Sequence, residues 1–355
     1  MAPRFELGLF LPNTSGGTVM GATLPPDNLP TFATNRAIVA RAEAAGFDFA
    51  LSQVKWRGYG GPSRHWDYAL ESFTLTAALA ATTSRMRLFA SVAIRTIHPA
   101  VVAKMAATID DVAPGRFGVN IVAGWNKFEY AQMGLWAEDD YYAHRYDYAA
   151  EYLEVMTRLW ADGRVSHEGR FFTLEDCTSW PTPARRLPIV CAGQSDEAIA
   201  FTARQADYAF VGRMKDDIPA LGALAGKIAE AAAAEGRTVG AYVLMTVIAA
   251  DTDAAALARR DAYVAGADTE AIANWLGASG NDSHRAGHAA MPTLQRTFMG
   301  FHLVVGSHAT VAAHLDALAD TGVTGACLVF PDFAPDLDDF IDNVVPRLTR
   351  FTALP

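Results

Sequence analysis

The stretch Arg87-Leu-Phe-Ala-Ser-Val-Ala93, then Pro99 to Val112, then Arg116-Phe-Gly-Val-Asn-Ile-Val122 runs strand, helix, strand. Both outer segments are short apolar runs, and the segment between them carries apolar residues at helical spacing behind an opening proline. Strands joined by a helix of this length lie parallel. The rhythm repeats outward in both directions. Toward the start, Phe5 to Leu11 precedes a helix over Leu29 to Gly46, and Asp48 to Ser52 precedes one over Tyr68 to Thr83. Toward the end, strands are predicted at Leu187–Ala192, Tyr208–Val211, Ala241–Ala250 and Gly325–Phe330. Helices are expected over 142–162, 195–206, 218–235, 253–275, 307–321 and 336–348. Eight βα-like units predict a closed (β/α)8 TIM barrel in the α/β class. An open doubly wound sheet would call for Gly-x-Gly-x-x-Gly after the first strand, and Pro12-Asn-Thr-Ser-Gly-Gly17 does not supply it.

Two segments interrupt the rhythm. Residues 123–140, after the fourth strand, are rich in aromatics, and residues 277–299, after the seventh, are polar with a mobile-loop composition. Phe171 to Asp176 suggests an accessory hairpin. The expected organisation is one domain over 1–355 with these two insertions. The chain has 355 residues, 51% of them hydrophobic, which is enough for a large core. Its formal charge of -10 lacks the basic footprint of a nucleic-acid binder. Three widely spaced cysteines (Cys177, Cys191, Cys327) form neither a disulfide framework nor a zinc ribbon. No secretory signal or membrane helix is read, so a soluble cytoplasmic enzyme is expected.

A barrel of this kind places its chemistry at the carboxyl ends of the strands. Asn120 lies inside an apolar strand there, so its amide must be hydrogen-bonded or aimed at a ligand. Ser91 is similar, although a buried serine can satisfy itself on the backbone. Gly193-Gln-Ser195-Asp196 opens a helix, and suits either a phosphate or an ordinary serine cap. Arg145-Tyr146 offers a guanidinium fork and a phenol to a phosphate, or else a solvated Arg beside a core Tyr. Gly124-Trp125-Asn-Lys-Phe-Glu129-Tyr130 sets rings and a carboxylate beside a planar ligand, or anchors the insertion. Lys55 meets a ligand or stays in solvent. His284-Arg-Ala-Gly-His288 has i,i+4 spacing but lacks the glutamate of a zinc-hydrolase helix, so no metal is expected. There is no P-loop and no Gly-x-Ser-x-Gly elbow, and Cys191 reads as a buried strand residue.

Several blocks together resemble the bacterial luciferase-like flavin-dependent monooxygenases. They are Phe47-Asp-Phe-Ala-Leu-Ser52, Leu70-Glu-Ser-Phe-Thr-Leu75, Lys104-Met-Ala-Ala-Thr-Ile-Asp110, Gly115-Arg-Phe-Gly-Val-Asn-Ile-Val122, Tyr146-Asp-Tyr148 and Cys191-Ala-Gly-Gln-Ser-Asp196. The resemblance spans about residues 5–335 and is strongest to the pyrimidine monooxygenases of uracil degradation. It implies a (β/α)8 barrel and a two-component enzyme. A separate reductase, driven by NAD(P)H, would deliver reduced FMN; dioxygen would add to it as a flavin peroxide. Uracil or thymine would then be opened between N3 and C4. By the same resemblance Val54 and Lys55 touch the flavin through their backbone, and Asn120 and Glu129 contact the flavin or the oxygen pocket. Arg145, Tyr146 and Ser195 hold the ribityl phosphate. Ser91 stands where a threonine flanks the oxygen site, and Asn120 and Ser91 are the catalytic pair. Phe210 and Trp125 line the substrate pocket. Partners would be the reductase and a small heterocycle, in a homo-dimer or tetramer, with neither nucleic acid nor membrane involved. Ala123, Ile94-Arg-Thr-Ile-His-Pro99, Pro12 to Gly17 and Val211 to Lys215 depart from the pyrimidine enzymes. These departures keep open another nitrogen heterocycle or a sulfone as substrate; a deazaflavin enzyme and a flavin-binding protein without turnover are further alternatives.

Overall fold

The computed structural model describes residues 4–21, 29–124, 126–136, 141–278 and 291–352. In chain order the elements are β1 (Glu6–Phe10), α1 (Phe32–Ala44), β2 (Phe49–Ser52), α2 (Ser72–Ala80), β3 (Arg87–Ala93), α3 (Pro99–Val112), β4 (Phe117–Val122) and α4 (Lys127–Ala131). Then come α5 (Tyr141–Asp162), β5 (Arg164–Glu168), β6 (Thr173–Thr178), β7 (Ile189–Ala192), α6 (Asp196–Gln205), β8 (Tyr208–Val211), α7 (Ile218–Ala234) and β9 (Gly240–Ala250). The chain continues with α8 (Asp253–Ala265), α9 (Thr269–Ala278), α10 (Thr293–Thr297), β10 (His302–Ser307), α11 (His308–Ala319), β11 (Gly325–Val329) and α12 (Phe333–Asn343).

Eight parallel strands close on themselves in the order β1-β2-β3-β4-β7-β8-β9-β11, with β11 returning to β1. The predicted barrel is therefore present. Its interior is layered by strand alternation. At the amino-terminal end Arg87 donates to Glu6 and to the Tyr208 hydroxyl, while the Tyr242 hydroxyl also donates to Glu6. Phe49 and Phe89 meet edge to face in the next layer, 5.9 Å apart. That layer needs Gly8 and Gly118 opposite it, because a Cβ at either would sit within 2.5 Å of a phenylalanine ring. Ser91 and Asn120 come two residues after Phe89 and Gly118, so they share that inward face and form the layer at the open mouth.

Three details differ from the expectation. The helix foreseen over 253–275 breaks after Ala265, where Asp268 caps α9 by accepting from the Ala271 N–H at 3.0 Å. The insertion after β9 carries a short helix, α10, and its residues 279–290, with the His284/His288 pair, lie outside the described residues. A ninth strand, β10, was not foreseen; it pairs with the outer half of β9 from Met245 to Ala250. It follows where β8 ends: Gly212 turns at a φ of 118°, with the Leu244 carbonyl and His302 beside it. The hairpin foreseen at 171–176 is the antiparallel pair β5–β6. Among the described residues no helix is long and apolar enough to cross a membrane.

Candidate functional site

The residues singled out in the sequence fall on neighbouring strand ends: Lys55 past β2, Ser91 on β3, Asn120 on β4, Ser195 past β7 and Phe210 on β8. They make one continuous arc of the carboxyl-terminal rim. The β4–β7 register sets Asn120 beside Val190, so Ser195 lies on the same rim a few residues further along.

The Asn120 side-chain amide donates to Ser91 Oγ at 2.8 Å. Ser91 is itself fixed, because its N–H lies beyond the end of β2 and donates instead to Ser72 Oγ at 2.8 Å. Asn120 is 6% exposed, and its Oδ1 has no hydrogen-bond partner. A buried acceptor without a partner is costly unless a ligand supplies the donor.

Beside this pair, Glu129 gathers the β2 tip. It stands on α4, where the Asn126 side chain accepts from the Phe128 N–H. One carboxylate oxygen accepts from Lys55 Nζ at 2.9 Å and the other from the Trp56 N–H at 2.6 Å. The Lys55 ammonium is also flanked by the rings of Tyr59 and Trp66, at 4.9 and 5.4 Å. Burial pushes its pKa down, but Tyr59 and Glu129 outweigh burial, so the net shift is upward and the charge is kept. Lys55 is thus a buried ion-pair partner rather than the solvated lysine that a lone Lys in a loop suggests. Tyr59, His65 and Trp66 were not foreseen; the signal was the aromatic and glycine-rich run Trp56 to Tyr68. A cavity of about 160 Å³ opens here, lined in part by Val54, Lys55, Trp56 and Trp66.

At the other end of the arc Gly193 adopts a φ of 149° and turns the chain into α6, where Ser195 Oγ accepts from the Ala198 N–H at 3.2 Å. Arg145 donates to the Tyr142 carbonyl, and its guanidinium lies 3.8 and 4.6 Å from the Tyr142 and Tyr146 ring centres. Burial raises the Tyr146 pKa, and contacts with Arg145 and Ser195 draw it back. These three residues therefore meet, as the phosphate reading requires. Asp196, whose charge would oppose an anion, is bonded to Lys227 at 2.6 Å. Gln194 Oε1 is buried without a partner. Phe210 is 8% exposed and packs on Tyr242; Trp125 lies outside the described residues. Burial pushes the Cys191 thiol up, which keeps it an inert strand residue.

The arc thus offers the Arg145 cation and the start of α6 at one end and a partnerless amide oxygen at Asn120. An anionic tail joined to a ring with N–H donors satisfies both. A larger, open groove of about 780 Å³ lies elsewhere, between α5 and the β5–β6 hairpin, and contains none of these residues.

The barrel and its polar mouth define a class. The family model for Luciferase-like monooxygenase matches residues 5–325, and the chain belongs to that family of enzymes. Pyrimidine monooxygenase RutA of Bradyrhizobium sp. (strain BTAi1 / ATCC BAA-1182) is 46% identical to it, with 98% of each chain covered. Pyrimidine monooxygenase RutA of Escherichia coli O127:H6 (strain E2348/69 / EPEC) is 44% identical over 99% of this chain and 98% of its own. Among solved structures, riboflavin lyase (RcaE) with modified FMN and its substrate riboflavin aligns with a TM-score of 0.82 at 22% identity. That alignment covers 97% of this chain and 91% of the other. Long-chain alkane monooxygenase (LadA) aligns at 0.80 with 20% identity, covering 98% and 91%. These two share the fold.

Proposed function

We propose that this enzyme is a two-component, FMN-dependent monooxygenase that opens the uracil or thymine ring between N3 and C4. The observation that carries the reading is near-full-length identity of about 45% to pyrimidine monooxygenases, in a chain whose barrel mouth presents Asn120 with an unpaired buried acceptor. FMN suits the donor set. Arg145, Tyr146 and Ser195 would hold its phosphate, the backbone at Val54 and Lys55 would lie along the ring, and Glu129 fixes that backbone. Reduced FMN, supplied by a separate NAD(P)H-driven reductase, contributes the electrons that activate dioxygen.

The protein contributes position and polarity. Asn120 donates to Ser91 Oγ, which leaves the Ser91 proton for a group in the mouth. The Asn120 and Ser91 donors sit in a buried layer, where a hydrogen bond to developing negative charge is stronger than in water. Phe210 and the aromatic loop around Trp66 exclude water from that layer.

The test is turnover of the purified protein with FMN, NADH, a flavin reductase and oxygen. Ureidoacrylate from uracil supports the reading. Oxygen-dependent oxidation of a different heterocycle or of a sulfone, with uracil untouched, moves the substrate and keeps the flavin chemistry. Absence of flavin binding overturns both.

A further inference from the structure

Arg95 lies in the β3–α3 turn, outside every group placed in the site above. It joins three separate parts of the rim. Its guanidinium donates to the Leu135 carbonyl at 2.7 Å, at the far end of the insertion that carries Glu129. The same group lies 4.5 Å from the Tyr141 ring centre and 5.4 Å from that of Tyr148, both on α5. Tyr141 continues the connection: its hydroxyl donates to the Ala123 carbonyl at the root of the insertion, and its ring meets Trp136 at 5.6 Å. Trp136 in turn packs 6.0 Å from Tyr130, the residue after Glu129. Tyr148 rests on Phe171 and Phe172 at the β5–β6 turn, at 5.2 and 5.0 Å.

We infer that Arg95 is a positioning residue that holds residues 126–136 and the first turns of α5 together. The physical argument is one of length and exposure. α4 is only five residues long and stands at the mouth, with Phe128 and Met133 exposed around it. A helix that short does not hold itself. It is kept in place by tertiary contacts, and Arg95 supplies two just beyond its carboxyl end: a charge-assisted hydrogen bond to Leu135 and ring contacts to α5. Glu129 rides on the first part, and Arg145 and Tyr146 ride on the second. Their spacing, and hence the spacing between the β2 tip and the anion end of the arc, depends on this junction. The inference concerns the protein without ligand; its consequence for affinity rests on the FMN reading.

The experiment compares wild type, Arg95→Met and Arg95→Lys. Hydrogen exchange of the ligand-free proteins is followed by mass spectrometry, and FMN affinity by fluorescence. The expected result for Arg95→Met is faster exchange confined to residues 126–136 and 141–148, with the rest of the barrel unchanged. The Kd for FMN and the KM for reduced FMN rise about tenfold, while kcat at saturating flavin stays within twofold. Arg95→Lys, which keeps a cation and a donor, returns most of the affinity. If Arg95→Met does not fold, the lysine variant still decides, through a smaller rise in exchange in the same two segments. Unchanged exchange there, or a uniform rise across the barrel, overturns the inference. Should wild type not bind FMN while the local exchange change appears, the junction stands and the flavin reading fails.

Discussion

Two residues show how position converts ordinary chemistry into a site. Asn120 is legible in the sequence because an amide inside Gly118-Val-Asn-Ile-Val122 needs a reason to be there. The structure aims it into the mouth, with Oδ1 unpartnered. Asn120→Ala is expected to lower turnover about a hundredfold, near the effect of losing one well-aimed donor, because it releases the Ser91 hydroxyl that the amide orients, while FMN affinity changes far less. Steady-state kinetics beside a binding titration reads this, and unchanged turnover at saturating FMN and substrate removes the role. The pairing of Lys55 was not legible, because its partner Glu129 lies 74 residues away and a lone loop lysine usually points to water. Both side chains of the pair are under 10% exposed. Glu129→Gln therefore leaves a buried ammonium without its counter-charge, at a cost of about 3–5 kcal/mol. Urea unfolding should report that loss, and adding Lys55→Met should return most of it.

The elements carry a second kind of information. The turn from β7 into α6 works because Gly193 takes a conformation that side-chain-bearing residues avoid, at a φ of 149°. A Cβ there would sit 2.6 Å from that of Ala198 and 3.1 Å from the Tyr146 hydroxyl. Gly193→Ala should cost about 1–3 kcal/mol of backbone strain and push the α6 terminus away from Tyr146. The expected readout is weaker flavin binding together with a lower Tm; native affinity in the variant would show that the anion end lies elsewhere. β9 shows what the sequence pattern concealed. Its 11 residues exceed what the neighbouring strands can pair, and the surplus is taken up by β10. The run His302 to Ser307 carries a histidine and a glycine among its valines, so periodicity alone did not mark it. The length of β9 was the available signal. Periodicity makes 253–275 one continuous helix because the break at Asp268 depends on a tertiary contact, the Ser63 N–H bonded to its carboxylate at 2.8 Å.

At the scale of the molecule, a loss of stability in acid follows from several histidines buried in neutral form. His65 packs against both Tyr59 and Trp66, and burial lowers its pKa from 6.5 to about 3. Burial lowers His314 to about 4, with the neighbouring His302 adding to the effect, and His302 and His98 are also shifted down by burial. Each of these groups binds its proton more readily in the unfolded chain. Their contribution is therefore fully present above about pH 6.5 and falls as pH drops toward the folded values. Glu43, Glu151 and Asp268, held below the usual carboxylate range, add their own loss only at lower pH. Unfolding free energy should thus be smaller at pH 5 than at pH 7, and His65→Phe, which keeps a ring in the stack, should reduce the slope. A flat profile between those values would contradict the neutral buried state.

The order of short apolar runs and amphipathic helices was enough to determine a parallel barrel, because each strand-helix unit has one geometrically favoured way to pack onto the next. It also determined the rim as the place for chemistry, since strand ends are where polar residues interrupt apolar runs. Tertiary structure alone decided which polar residues meet. Glu129 with Lys55, Tyr146 with Ser195, and Arg95 with Leu135 and Tyr141 all pair across tens of residues. Such contacts depend on closure of the ring and on the path of the insertions, and neither is encoded in the spacing of neighbouring residues.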